Sequence, residues 1–403
     1  MFRIGKEEID AVARVIESRQ LFRSNHANQE VVHFEAEWAA KMGAAYSLCV
    51  SGGTCALIAA LVGLEIGPGD EVLVPGYTFM ATATAVLAVG AIPVLVEIDD
   101  SLTIDPEDLV RKITAETRAI IPVHINGWPA NMDRIMELAR QHGLAVVEDA
   151  CQSDGGSYKN KRLGSIGDVG CFSFNHYKII SAGEGGALVT NNKTAYERAM
   201  VYHDAGTQFR PYKDELSVPI FLGAQYRVSE IIGAILRVQL ERLDGILADL
   251  HRVKHSIMSE LAGAENISFI RSNDVNGDCC SVLGFSFANP SMAREFAKSD
   301  GVNGIVTIDS GKHVYANWDP LLEKRGGHCD AVNPFLMSRN QGLRCEYARD
   351  MLPQTLERLN RSVIVHMNPD WQDDQIELVA NSCRQAALNL TQATHEQDLR
   401  EGK

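Results

Sequence analysis

Between residues 45 and 191, short apolar, β-rich runs alternate with stretches of helical periodicity. The runs cover residues 46–50, 71–74, 92–97, 119–125, 144–149, 169–174 and 187–190. Several are apolar without alternation, as expected of strands covered on both faces, and the segments between them are long enough for crossover helices. The pattern predicts an α/β unit around a largely parallel sheet. Apolar positions at Ile232, Ile235, Leu236, Leu240, Leu243 and Leu247 then predict a long helix over 229–259 that carries the chain out of that unit. Beyond about residue 262 the alternation loses its regularity. A strand-like 282–287 and a helical 375–388 predict a smaller α+β unit, which divides the chain into a large domain over 1–250 and a small one over 251–403. Residues 4–9 already read as helix, and the polar stretch 393–403 is expected to fray.

Composition narrows this picture without changing it. A chain of 403 residues, 45% hydrophobic and 22% charged, has material for a large core and two domains. A formal net charge of −14 excludes nucleic acid or an anionic membrane surface as the main partner, so any anion must be captured locally. The nine cysteines are scattered without a CxxC pair or zinc-ligand spacing and read as buried thiols of a reducing cytoplasm. No signal-like opening and no apolar run of about 18 residues is present, so neither export nor membrane insertion is expected.

The candidate chemistry gathers around Lys178. It lies in Phe172-Ser173-Phe174-Asn175-His176-Tyr177-Lys178, ahead of Gly183, Gly185 and Gly186, and downstream of Glu148-Asp149-Ala150-Cys151-Gln152. An amine leaving a strand beside a glycine turn, with a carboxylate at the end of an earlier strand, is the pair a pyridoxal phosphate enzyme needs. The lysine holds the cofactor aldehyde as a Schiff base and the carboxylate keeps the pyridine nitrogen protonated, so that the ring accepts electrons. The flanks Tyr177, Ile179 and Ile180 are expected to desolvate the amine and leave it nucleophilic.

Ser51-Gly52-Gly53-Thr54 follows a strand and opens an apolar helix, where free N–H groups and the dipole favour a phosphate; the same residues also serve as a plain turn with a Thr54 cap. Asp149 ends a strand where ligands of open α/β sheets collect, or caps a loop, and Gln152 lies one turn beyond. Ser173, five positions before Lys178, offers a hydroxyl to the phosphate or merely occupies the opposite face of a strand. His176, His203 and His313 are candidates for substrate contact or proton transfer. No histidine cluster with metal-binding spacing is apparent, and no metal is expected.

These motifs together resemble the DegT/DnrJ/EryC1/StrS family of pyridoxal phosphate dependent sugar aminotransferases. The resemblance rests on Ser51 to Thr54, Gly69-Asp70-Glu71 with Thr78-Phe79, Pro122-Val123-His124 with Gly127, Glu148 to Gln152, Gly167-Asp168 ahead of the Lys178 motif, and residues 368–376. It implies a fold of type I, aspartate-aminotransferase-like, with a seven-stranded, mostly parallel large domain, a smaller C-terminal α+β domain, and a homodimer with sites at the subunit interface. By that likeness Lys178 and Asp149 are catalytic, Phe79 stacks on the ring, Gln152 approaches the cofactor hydroxyl, and Gly53, Thr54 and Ser173 hold the phosphate. Where the family has Gly-x-Asn-x-Arg, this chain has Gly223-Ala224-Gln225-Tyr226-Arg227, which assigns Gln225 to a phosphate contact across the dimer. Trp128 is expected to narrow the substrate side, and Cys55 and Cys151 to act as packing.

The activity implied is transfer of an amino group from glutamate or glutamine, through pyridoxamine phosphate, to a carbonyl of a keto or aldehydo sugar or related natural-product intermediate. The segment 301–318 and Phe22-Arg23-Ser24-Asn25 are similar to the branch that aminates an eight-carbon keto sugar acid. Two rivals stand beside this reading. One is a sugar dehydratase of the same family, which generally has histidine in place of the lysine. The other is a non-catalytic regulator on the same scaffold.

Overall fold

The apolar runs of the first half come together side by side. A computed structural model describes residues 2–23 and 29–401, with side chains described through residue 390. Ser24 and Asn25 therefore lie outside the described residues, as do Gly402 and Lys403. The large sheet has seven strands in the order Tyr46–Val50, Gly186–Thr190, Val169–Ser173, Ala145–Asp149, Thr117–Ile120, Glu71–Pro75, Ile92–Val96. Only Gly186–Thr190 runs antiparallel to its neighbours. The parallel strands thus point their carboxyl ends toward one edge, where ligands bind in such sheets.

One strand is displaced from its expected limits. The run read as 119–125 forms a strand only over Thr117–Ile120. Pro122 has no N–H to give to a ladder, although its carbonyl accepts from the Asp149 N–H, and beyond His124 the chain tightens into a short turn over Ile125–Gly127.

The helix Gly53–Gly63 is apolar on nearly every face because it is wedged between the sheet and the helix Lys193–His203. Gly63 permits that approach, since a Cβ there would lie 2.6 Å from the Ala195 carbonyl oxygen. The predicted long helix is Glu230–Glu260, 31 residues and roughly 45 Å long. One apolar cluster runs along it, from Phe34, Trp38 and Phe172 beneath the large sheet to Phe285 and Phe296 beneath a second sheet. The division drawn after residue 250 falls inside this helix.

The second sheet has four strands, all antiparallel, in the order Ser268–Phe269, Val282–Ser286, Ser362–His366, Ile305–Val306. The helix Pro290–Lys298 and the C-terminal helix Asp373–Glu401 cover it. The expected fraying over 393–403 falls where no side chains are described. Between the second sheet's strands, residues 311–356 return to the large unit: Arg344 pairs with Glu71, the Tyr347 hydroxyl donates to the Pro93 carbonyl at 2.6 Å, and the Thr355 N–H donates to Glu97 at 2.6 Å. Sequence periodicity assigned this stretch to the small domain.

Candidate active site

Successive residues of a strand face opposite ways, and the strand Ala145–Asp149 uses this to separate two carboxylates. Glu148 faces inward. It accepts from the N–H groups of Gly164, Ile166 and Gly167 and lies 3.0 Å from His124 Nε2, both side chains fully buried. His124 Nδ1 accepts from the Ala130 N–H at 3.1 Å, which leaves the proton on Nε2 to donate to Glu148. Asp149 faces the carboxyl edge. Its Oδ2 accepts from the Thr82 hydroxyl at 2.8 Å and its Oδ1 from the Cys151 N–H at 3.2 Å, while Thr78 and Thr82 hydroxyls are joined at 2.8 Å. The carboxylate is held in place and retains room for a further donor.

Lys178 reaches the same edge from the turn after Val169–Ser173. The Phe174 N–H donates to Gly185, the Ala182 N–H to Phe174, and the Lys178 N–H to Asn175, with Gly183 at φ +82°. That left-handed backbone is open to glycine at no steric cost. The Lys178 amine makes no hydrogen bond or ion pair among the described residues.

The third component is the start of the helix Gly53–Gly63, whose cap, Gly52, supplies no side-chain acceptor, so the first N–H groups point free. A Cβ on Gly53 would lie 2.7 Å from Cys151 Sγ and 2.9 Å from Ser173 Cβ, so only glycine lets the helix start settle against the strand that carries Ser173. Gly53, Thr54, Phe79, Asp149, Gln152, Ser173 and Lys178 line a single cavity of about 140 Å³. It adjoins a larger cavity of about 280 Å³ that shares Phe79, Gln152, Asn175 and Lys178 and adds Asn126, Ser281, Lys312, His313 and His366.

These residues fit pyridoxal phosphate as a donor set. The helix start with the Thr54 and Ser173 hydroxyls suits the phosphate, the supported Asp149 carboxylate suits a protonated ring nitrogen, and the unpaired Lys178 amine suits the aldehyde. The DegT/DnrJ/EryC1/StrS aminotransferase family model matches residues 3–298. The chain belongs to that family.

Aminotransferases of the DegT/DnrJ/EryC1/StrS family depend on pyridoxal phosphate, and the chain shares their fold type I architecture. It is 34% identical to 3-amino-5-hydroxybenzoate synthase of Amycolatopsis mediterranei over 72% of this chain and 74% of that one. It is 42% identical to GDP-perosamine synthase of Caulobacter vibrioides over 55% of this chain and 59% of that one. A putative L-glutamine:3-amino-2,3-dideoxy-scyllo-inosose aminotransferase of Micromonospora echinospora is matched at 37% identity over 60% of this chain and 58% of its own length. Among solved structures, DesV of S. venezuelae, in complex with a ketimine intermediate, superposes with a TM-score of 0.73 at 30% identity, covering 94% of each chain. 3-Amino-5-hydroxybenzoic acid synthase superposes at 0.78 with 25% identity, covering 96% of this chain and 98% of that one.

Within this family frame the remaining candidates separate. Gln152 accepts from the Asn126 N–H at 2.9 Å, and its amide nitrogen lies 3.4 Å from His313 Nε2. His313 lines the larger cavity, 5.9 Å from the Phe79 ring, and burial together with nearby Lys312 lowers its pKa to about 4, so it is neutral there. Gln225 is exposed and lies outside both cavities of its own chain. His203 is fully buried, with Nδ1 donating to the Met200 carbonyl at 2.7 Å, and does not reach either cavity. His176 is exposed, packs on Phe2 and Tyr177, and lines neither cavity.

Four further expectations need correction. Tyr177, taken as an apolar flank, is 76% exposed. Trp128 does not narrow the substrate side: it is buried against the second sheet, with Lys254 Nζ 6.0 Å from its ring centre. Cys329 is exposed rather than buried, and one histidine group does have metal-binding spacing, with His251 and His255 one helical turn apart beside Cys280. Among residues the sequence did not single out are Thr82, Lys312 and Asp154. The four-residue spacing of Thr78 and Thr82 at a helix start was a usable signal for the first. Asp154 is 1% exposed with both oxygens unpartnered, and burial pushes its carboxyl well above the usual range against the opposing pull of Lys178.

Proposed function

We propose that this chain transfers an amino group from glutamate or glutamine to the carbonyl of a keto or aldehydo sugar or a related natural-product intermediate. The observation that carries this is the unpaired Lys178 amine sharing one cavity with the Thr82-supported Asp149 and the free N–H groups of Gly53 and Thr54. When bound, pyridoxal phosphate supplies an electron sink at the reacting carbon. Lys178 would hold its aldehyde and, once released, would serve as the base and then the acid that carries the proton taken from the donor's α-carbon. Asp149 keeps the ring nitrogen charged. Ser173 and Thr54 fix the phosphate, Gln152 meets the ring hydroxyl, and Phe79 covers the ring. Gln225 acts across the two-fold interface of a homodimer.

An acidic acceptor, such as an eight-carbon keto sugar acid, is the finer reading. Lys312 supports it: its ammonium sits at the mouth of the larger cavity, 5.4 Å from the ring centres of both Phe79 and Tyr177, with no carboxylate partner among the described residues. The dehydratase alternative loses support from the outward position of His176. Addition of glutamate and then glutamine to the purified holoprotein, followed by absorbance, tests the proposal. Conversion of the cofactor from its aldehyde to its amine form by either donor is expected; an unchanged spectrum with both would overturn it. Deoxygenated rather than aminated sugar as product would instead favour the dehydratase.

A further inference from the structure

Far along the chain from Lys178, His251, His255 and Cys280 bring an imidazole nitrogen, a second imidazole nitrogen and a thiol sulfur within 4.8 Å of one another. The two histidines are four residues apart on the helix Glu230–Glu260, which sets both rings on one face, and their ring centres are 5.4 Å apart. Cys280 comes from the loop that precedes the strand Val282–Ser286, and it adopts φ +59°. A left-handed backbone is uncommon for cysteine, and such conformations gather at functional positions. Its N–H donates to Asp278 Oδ1 at 2.7 Å, while Asp278 pairs through its other oxygen with Lys254. Asp278 thereby offsets the Lys254 charge nearest the cluster.

We propose that His251, His255 and Cys280 form a binding site for a borderline-soft divalent transition-metal ion, Zn²⁺ being the fitting member, that ties the long helix to the loop 274–281. Two imidazoles and one thiolate are a ligand set that Zn²⁺ and Co²⁺ accept, with a tetrahedral position left for water. Ligation requires modest closure of the three atoms. His255 is exposed and gives the ion its path in, whereas Cys280 is buried and is reached through the cluster. On binding, the Cys280 thiol gives its proton to solvent, since the thiolate is the ligand.

The site has a structural link to the cavity. Ser281, next in the chain, lines the larger cavity and its hydroxyl donates to the Asn126 carbonyl at 3.1 Å. A metal at Cys280 braces the wall against which an acceptor would lie. The inference does not depend on which amino donor or acceptor the enzyme uses.

Holoprotein stripped of metal with a chelator and desalted should be titrated with Co²⁺, then with Zn²⁺ against a chromophoric competitor. The expected result is one ion per chain, with a thiolate-to-cobalt band and intense four-coordinate visible bands that Zn²⁺ displaces. His255→Ala, at an exposed position, should weaken binding at least about tenfold, and Cys280→Ser should abolish the thiolate band while both variants keep wild-type circular dichroism. Equal binding by all three proteins, or a cobalt spectrum without the thiolate band in the wild type, would overturn the proposal.

Discussion

The carboxyl edge of the large sheet and the outer wall of the adjoining cavity border the same space, yet they are built differently. At the edge, Asp149 is 5% exposed and held by a Thr78–Thr82 hydroxyl relay, and Ser173 stands on a fully buried strand. The wall is made of Phe79 at 41% exposure, Tyr177 at 76%, Lys312 and His313, from turns and from the segment that returns out of the second sheet's connections. Asp149 and Ser173 are fixed on strands of the sheet, whereas Lys312 and His313, which face the larger cavity, sit on a short turn. The comparison teaches that this chain's chemistry and its specificity can be perturbed separately.

Lys178→Ala strikes the edge hardest. Loss of both anchor and proton carrier should cost at least about a thousandfold in the donor half-reaction, measured by stopped-flow with glutamate, and the thermal stability of the cofactor-free protein should stay within experimental error because the amine has no protein hydrogen-bond or ion-pair partner among the described residues. Asp149→Asn keeps the Thr82 hydrogen bond but removes the charge opposite the ring, and should cost on the order of a hundredfold in both half-reactions. Equal loss in the two halves is the diagnostic. Lys312→Ala should leave the donor half-reaction unchanged and raise KM for an acidic acceptor about tenfold, the scale of a lost charged hydrogen bond. If the donor half-reaction falls as well, the wall is part of the chemistry and the comparison fails.

The smallest effect concerns a histidine outside both regions. Burial, with Arg23 adding to it, lowers the His203 pKa from 6.5 to about 3. As pH falls below about 6.5 the unfolded chain takes up a proton that the folded chain refuses, so the folded state loses stability toward pH 3, by up to about 1.4 kcal/mol per pH unit. His203→Gln should flatten the acid limb of a denaturant-derived stability profile by that contribution. Parallel limbs would contradict a His203 imidazole held neutral by burial.

Much of the edge could be read from the sequence because each of its parts is local: a glycine-rich strand-to-helix turn, a strand ending in Glu148-Asp149, a lysine before a glycine turn. Residues 46–50 were placed without error because this β-rich run is bounded sharply by the glycine turn Ser51-Gly52-Gly53. The strand at 117–120 was misjudged because Ile121, Pro122, Val123 and Ile125, beyond its end, continue the apolar run. The wall was poorly legible. Nothing in the spacing of residues 311–356 shows that they pack back on Glu71, Pro93 and Glu97 rather than on the second sheet. Asp154 and Cys280 carry no local signal, since a buried orphan carboxyl and a thiol beside two histidines exist only once distant segments meet. The His251 and His255 spacing was visible, but without its third member it had no meaning.

Borohydride treatment of the holoprotein, followed by proteolysis and mass mapping, tests the central claim most directly. The account predicts that the reduced cofactor is fixed to the peptide containing Lys178 and to no other. A label on a different lysine, or on none, would contradict it.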